Sequence, residues 1–260
     1  MEITIEEFSK EPNEFVVRVD GRFTINTTWA DSDSDLKRWI QRIQKIYRKK
    51  IHNRSLVVGL CADRSLSYAN GTGFHFRLVG RSLKDEPYEL MQICVESHCV
   101  LRALNSRGCR YENWFPKPLK DFLHDNGVTV VGVGIDKLGE KMAKDYGWLM
   151  PNRAVELRDL AAELRKGNMQ GTANNSSEDG DQTSRIDFRR FGLARLARVV
   201  LGEEVNFVKP VKITWCNSNS QWNPYEPVRL TNDMIKYASV EAFLTSYMGT
   251  TLLDNRNNHR

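Results

Sequence analysis

The stretch "RSLVVGLCADRSLSYANG" (Arg54–Gly71) decides how the chain is read. Its run Leu56-Val57-Val58-Gly59-Leu60 is short, continuous and apolar, the pattern of a buried β-strand. At the end of that strand stand Cys61, Ala62 and Asp63. Many hydrolytic folds place carboxylates at such a strand end to hold metal ions over a substrate. Here one carboxylate stands beside one thiol, so the stretch is either a working metal site or the remains of one.

On its N-terminal side, Phe15–Thr28 ("FVVRVDGRFTINTT") reads as a hairpin around the turn pair Asp20-Gly21. Next, Leu36, Trp39, Ile40, Ile43, Ile46 and Tyr47 recur at helical spacing, with Ser and Asp ahead of them as caps. The last turn carries Lys45, Arg48, Lys49 and Lys50, a basic end that complements the helix dipole. On its C-terminal side, Phe74–Gly80, Leu90–Glu96 and Cys99–Leu104 read as strands. Pro116–Gly127 reads as a helix opened by prolines and closed by Gly127, and Val128–Ile135 as a further buried strand. "DKLGEKMAKDYG" is helical and "AVELRDLAAELRK" is strand into helix. Residues 166–184 bury almost nothing and are expected to form a disordered surface insertion. Helices return at "GLARLARVVLG" and "LTNDMIKYASVEAFLTSYM". A meander of strands followed by alternating strands and helices predicts a single α/β domain with some antiparallel strands.

With 260 residues, 40% hydrophobic and 27% charged, the chain can bury a sizeable core. No apolar run is long enough for a membrane span, so no membrane association is expected. The acidic start "MEITIEEFSKEP" lacks a signal-peptide pattern, and the expected location is nucleus, cytoplasm or both. The odd count of five cysteines argues against a disulfide framework, and with no C-x-x-C pair no zinc-ligand spacing appears. A net charge of +5 permits a polyanionic partner without requiring one.

From about residue 15 to 253 the order of motifs resembles the Werner syndrome-type 3′–5′ exonuclease domain, especially its short plant relatives. The matching segments are "VVGLCAD", "LMQICVESHCVL", "VVGVGIDKLGEKMAKDYG", "AVELRDLA", "GLARLARVVLG" and "LTNDMIKYASVEAF". The resemblance implies an RNase H-like (DEDD exonuclease) fold, a mixed sheet flanked by helices, over residues 15–253. It leaves residues 1–14 and 254–260 as tails. It also implies a chemistry in which two divalent ions activate water and steady the leaving oxygen, which requires several carboxylates. The family supplies an Asp-x-Glu, a second Asp and a third Asp, with a Tyr four residues before the last to orient water.

This chain departs from that set. The first Asp falls on Cys61 and its Glu on Asp63, the second Asp falls on Leu138, and the third falls on Glu241 with Tyr237 retained. Asp136 and Glu140 lie two positions either side of Leu138, roughly 200° round the helix and so on the other face. Cys61 is a soft ligand, poorly matched to Mg²⁺. His75, His98 and His124 have no metal-ligand spacing. Cys61 and Leu138 read as packing residues in a vacated site, and Tyr237 as a helix residue facing the cleft. Asp63 and Glu241 either bind one weak ion or pair with a nearby Lys or Arg. No cofactor is expected, with Mg²⁺ or Mn²⁺ relevant only to residual activity.

Three functional readings follow. The first is a catalytically degenerate exonuclease-like protein that still binds nucleic acid, with Arg189, Arg190, Arg195 and Arg198 as phosphate contacts. The second is a protein-interaction module or homo-oligomer, using the aromatic loop with Trp215, Trp222, Pro224 and Tyr225. The third is an active exonuclease with a reduced metal site, ranked last because losing ligands to one ion costs orders of magnitude in rate.

Overall fold

The computed structural model describes residues 1–7, 13–64, 88–104, 115–172, 187–210 and 230–258. The expected strand at 74–80 and the aromatic loop with Trp215, Trp222, Pro224 and Tyr225 lie outside them, as does His75.

The predicted hairpin forms from β2 (Glu14–Val19) and β3 (Phe23–Trp29). Asp20 (φ 50°) and Gly21 (φ 65°) both take positive φ, the primed turn that suits the twist of the flanking strands. β1 (Ile3–Glu7) pairs antiparallel with β2, so residues read as an N-terminal tail form the edge of the sheet. β4 (Leu56–Arg64), β5 (Tyr88–Val95) and β6 (His98–Ala103) pair antiparallel in sequence. β7 (Val128–Gly132) and β8 (Ala154–Glu156) extend the sheet in parallel beyond β4. The order is β1-β2-β3-β6-β5-β4-β7-β8, one mixed sheet of eight strands.

Helices cover both faces. α1 (Asp33–Ile46) starts at a capping box between Ser32 and Asp35 and buries Leu36, Trp39, Ile40 and Ile43. Ile46 stays half-exposed, and Tyr47 ends the helix as its cap. The short α2 (Arg48–His52) follows. α3 (Lys117–Leu123) is capped by His124, three residues before the predicted end. Gly127 serves a different purpose there: an added Cβ would lie 2.3 Å from the Ile51 carbonyl oxygen. α4 (Ile135–Tyr146) begins one residue earlier than the motif suggested, after Gly134 in the left-handed region, and closes on Gly147, also left-handed.

α5 (Leu157–Thr172) carries helix into the stretch expected to be disordered, as far as Thr172. A one-turn 3₁₀ helix (Phe188–Arg190) and α6 (Leu193–Leu201) follow. α7 (Asn232–Asn258) is longer than predicted and takes in most of the expected C-terminal tail. No described helix is long and apolar enough to cross a membrane. Cys61, Cys94 and Cys99 are free thiols.

The period-two geometry of β4 divides its residues between two cores. Leu56, Val58 and Leu60 join the core beneath α1, α3 and α4. Gly59 and Cys61 turn the other way, toward α7. α7 meets the sheet through small residues, among them Ser239, Ala242, Ser246 and Gly249. That close approach is what brings its Glu241 to the end of β4.

Candidate functional site

The end of β4, the start of β5, the first turns of α4 and α6, and the middle of α7 enclose a cleft of about 210 Å³. Cys61, Asp63, Leu138 and Glu241 all line it, so the fold gathers the four positions that the motifs had singled out. The sheet delivers Cys61 and Asp63 together because residues two apart on a strand share a face.

The chemistry of those four positions is not that of a two-ion centre. Leu138 is 7% exposed and belongs to the apolar core, held one turn into α4 by its own N–H to the Gly134 carbonyl at 3.0 Å. Asp136 and Glu140 are exposed on the opposite face of α4, as the helical spacing predicted. The Cys61 thiol lies 3.1 Å from Thr245 Oγ1. Burial pushes this thiol up to about 12, and the Glu241 and Asp63 charges add to the effect against the Thr245 hydrogen bond.

Between the two carboxylates sits a residue that the motifs do not include. Lys209 Nζ donates to Asp63 Oδ2 at 2.7 Å and to Glu241 Oε2 at 2.9 Å. Gln92, fully buried on β5, adds a hydrogen bond from Nε2 to Asp63 Oδ2 at 3.1 Å. Burial opposes the charge on Lys209, but Glu241 and Asp63 outweigh it and hold the ammonium above its ordinary range. Burial and the Asp63 charge raise Glu241 to about 7 against the pull of Lys209. One ammonium thus serves two carboxylates, and the proton on Glu241 tends to balance the remaining charge.

Tyr237 keeps its place one turn before Glu241 and is partly buried. Its ring packs on Phe207, centroids 6.2 Å apart, two residues before Lys209. The tyrosine therefore supports the segment that carries the lysine. The four candidate arginines lie on the 3₁₀ turn and on α6, whose Leu193 lines the cleft. Arg190 pairs with Asp187 at 3.4 Å, and Arg198 donates to Asn206 at 2.5 Å. The Arg195 guanidinium lies 4.0 Å from the centroid of the Phe191 ring. The Arg189 side chain is exposed.

A pair of divalent ions does not fit this donor set. Two carboxylates share one resident ammonium, the third position is a thiol turned to a hydroxyl, and the fourth is a leucine. Among the described residues, no three His, Cys, Asp or Glu side chains stand together as metal ligands. Sequence reasoning left open whether Asp63 and Glu241 bind one weak ion or pair with a Lys or Arg, and did not single out Lys209. Thr245 carried no motif signal, and Gln92 lay in the matching segment "LMQICVESHCVL" with no role assigned to it.

No family model matches the chain. It is 25% identical over 239 residues to a 3′–5′ exonuclease from Arabidopsis thaliana, a match covering 92% of this chain and 66% of that protein. Among solved structures, Escherichia coli RNase D, an exoribonuclease involved in structured RNA processing, superposes with a TM-score of 0.53 at 14% identity. That match covers 90% of this chain and 46% of RNase D. The EXD2 exonuclease domain is 22% identical, with a TM-score of 0.41 and 88% of this chain covered. At 14% identity the likeness to RNase D is one of fold.

Proposed function

We propose that this 3′–5′ exonuclease-like domain has lost the cleavage chemistry of its fold and keeps a nucleic-acid-binding role. The observation that carries the first half is the cleft lining itself. It offers two carboxylates, Asp63 and Glu241, while Cys61 and Leu138 occupy the other two positions. In-line displacement with two metal ions needs both ions offset by acidic ligands, and a leucine supplies no donor. Support for the second half is the fold's own use in its relatives, together with a net charge of +5 and the arginines beside the cleft.

Two measurements test the proposal. Labelled single-stranded and recessed-end oligonucleotides, incubated with Mg²⁺ or Mn²⁺, should release no nucleotides above a Glu241→Ala control. Mn²⁺-dependent ladders that this control abolishes would restore the reading of an active exonuclease with a reduced metal site. For binding, fluorescence anisotropy across a salt series should show a slope of about −0.7 in log K against log salt for each phosphate neutralised on a single strand. Changing Arg189, Arg190, Arg195 and Arg198 to Ala should flatten that slope and weaken all sequences alike. Absence of binding at low salt would favour a protein-interaction module instead.

A further inference from the structure

We infer that Lys209 is a built-in cation for the old metal cleft: its tethered ammonium pairs with Asp63 and Glu241 together and keeps a divalent ion off them. The inference rests on the reading of a reduced ligand set and names what has taken the cation's place. Asp63 on β4 and Glu241 on α7 are distant in sequence, yet both accept from the same nitrogen, at 2.7 and 2.9 Å. Two carboxylates converging on a single point of positive charge is the geometry of a cation site. The fold supplies the cation through Phe207, which is buried against Tyr237 and anchors the segment two residues away.

A divalent ion could not share the position. Mg²⁺ holds carboxylate oxygens at about 2.0–2.1 Å, which would set it against the ammonium at close range. A tethered cation also competes at a fixed, high local concentration, whereas a free ion must bind from solution. Gln92 lines the same cleft, and its Oε1 is buried with no partner among the described residues. A hard oxygen donor therefore already adjoins the carboxylates, and Lys209 is what stands between them and a metal.

The test is Mn²⁺ titration of the full chain without nucleic acid, followed by electron paramagnetic resonance of free Mn²⁺ and by calorimetry. Cleavage and nucleic-acid binding are thus read separately from metal uptake. Lys209→Met should bind one Mn²⁺ per chain, at least about tenfold more tightly than wild type or Lys209→Arg, and adding Glu241→Gln should abolish the gain. Equal uptake by wild type and Lys209→Met overturns the inference, as does a folded Lys209→Met that binds no Mn²⁺. Should the methionine variant not fold, Lys209→Gln, which keeps a hydrogen-bond donor toward the carboxylates, is titrated in its place with the same outcomes.

Discussion

The Cys61 sulfur and the Thr245 hydroxyl oxygen meet across the junction of β4 and α7, 3.1 Å apart. Both groups also lie against the Glu241 carbonyl, the hydroxyl at 2.8 Å and the sulfur at 3.8 Å. Cys61 is thereby part of the contact between strand and helix.

Such a thiol should be chemically quiet. With its titration pushed up to about 12, only about one thiol in ten thousand is ionised at pH 8. Under native conditions at pH 8, iodoacetamide should leave Cys61 unmodified, as read by peptide mass spectrometry, while urea should expose it. Rapid native alkylation of Cys61 would mean that the cleft is open and the thiolate stabilised.

Leu138 lines the cleft as a buried apolar residue. Leu138→Asp should destabilise the fold by about 2–4 kcal/mol at pH 8, by burying an unpaired charge beside Asp63 and Glu241. Thermal melts of the two proteins side by side measure it. An unchanged midpoint would show an open, solvated cleft.

Stability should fall as pH rises through neutrality, and Glu241 sets the window. Its folded carboxyl titrates near 7, above the ordinary value of 4.5, so the folded state holds this proton more tightly than the unfolded chain does. The stabilisation is complete below about pH 4.5 and is lost as pH passes 7, an effect on the order of 1–3 kcal/mol. Chemical denaturation between pH 5 and 8.5 should show the decline, and Glu241→Gln should flatten it. An identical slope in that variant would assign the titration to another group.

Gly59 is required by the same junction. An added Cβ would lie 2.5 Å from the Ser246 backbone nitrogen and 2.7 Å from the Ala242 carbonyl oxygen, both on the helix main chain. Gly59→Ala should therefore cost about 1–3 kcal/mol or more, because no side chain can rotate aside. Since Ala242 follows Glu241, a displaced α7 should also loosen the Lys209 pairing. Increased acetylation of Lys209 in this variant would report that loosening, and full stability would show that α7 shifts freely.

Much of this protein could be read from sequence because the relevant forces are local or periodic. The alternation along β4, the hairpin turn at Asp20-Gly21 and the α1 stripe each follow from side-chain spacing. The 3.6-residue period likewise put Leu138 inside and Asp136 and Glu140 outside. The positions Cys61, Asp63, Leu138 and Glu241, picked out along the sequence, all line one cleft. What only the tertiary structure decided was how the two remaining carboxylates are satisfied. Lys209 lies 146 residues after Asp63 and 32 before Glu241, in a segment with no periodic pattern. One lysine among many basic residues carries no mark of its partner. An ion pair depends on separation in space, and that separation exists only once Phe207 has packed on Tyr237 and α7 has closed against Gly59.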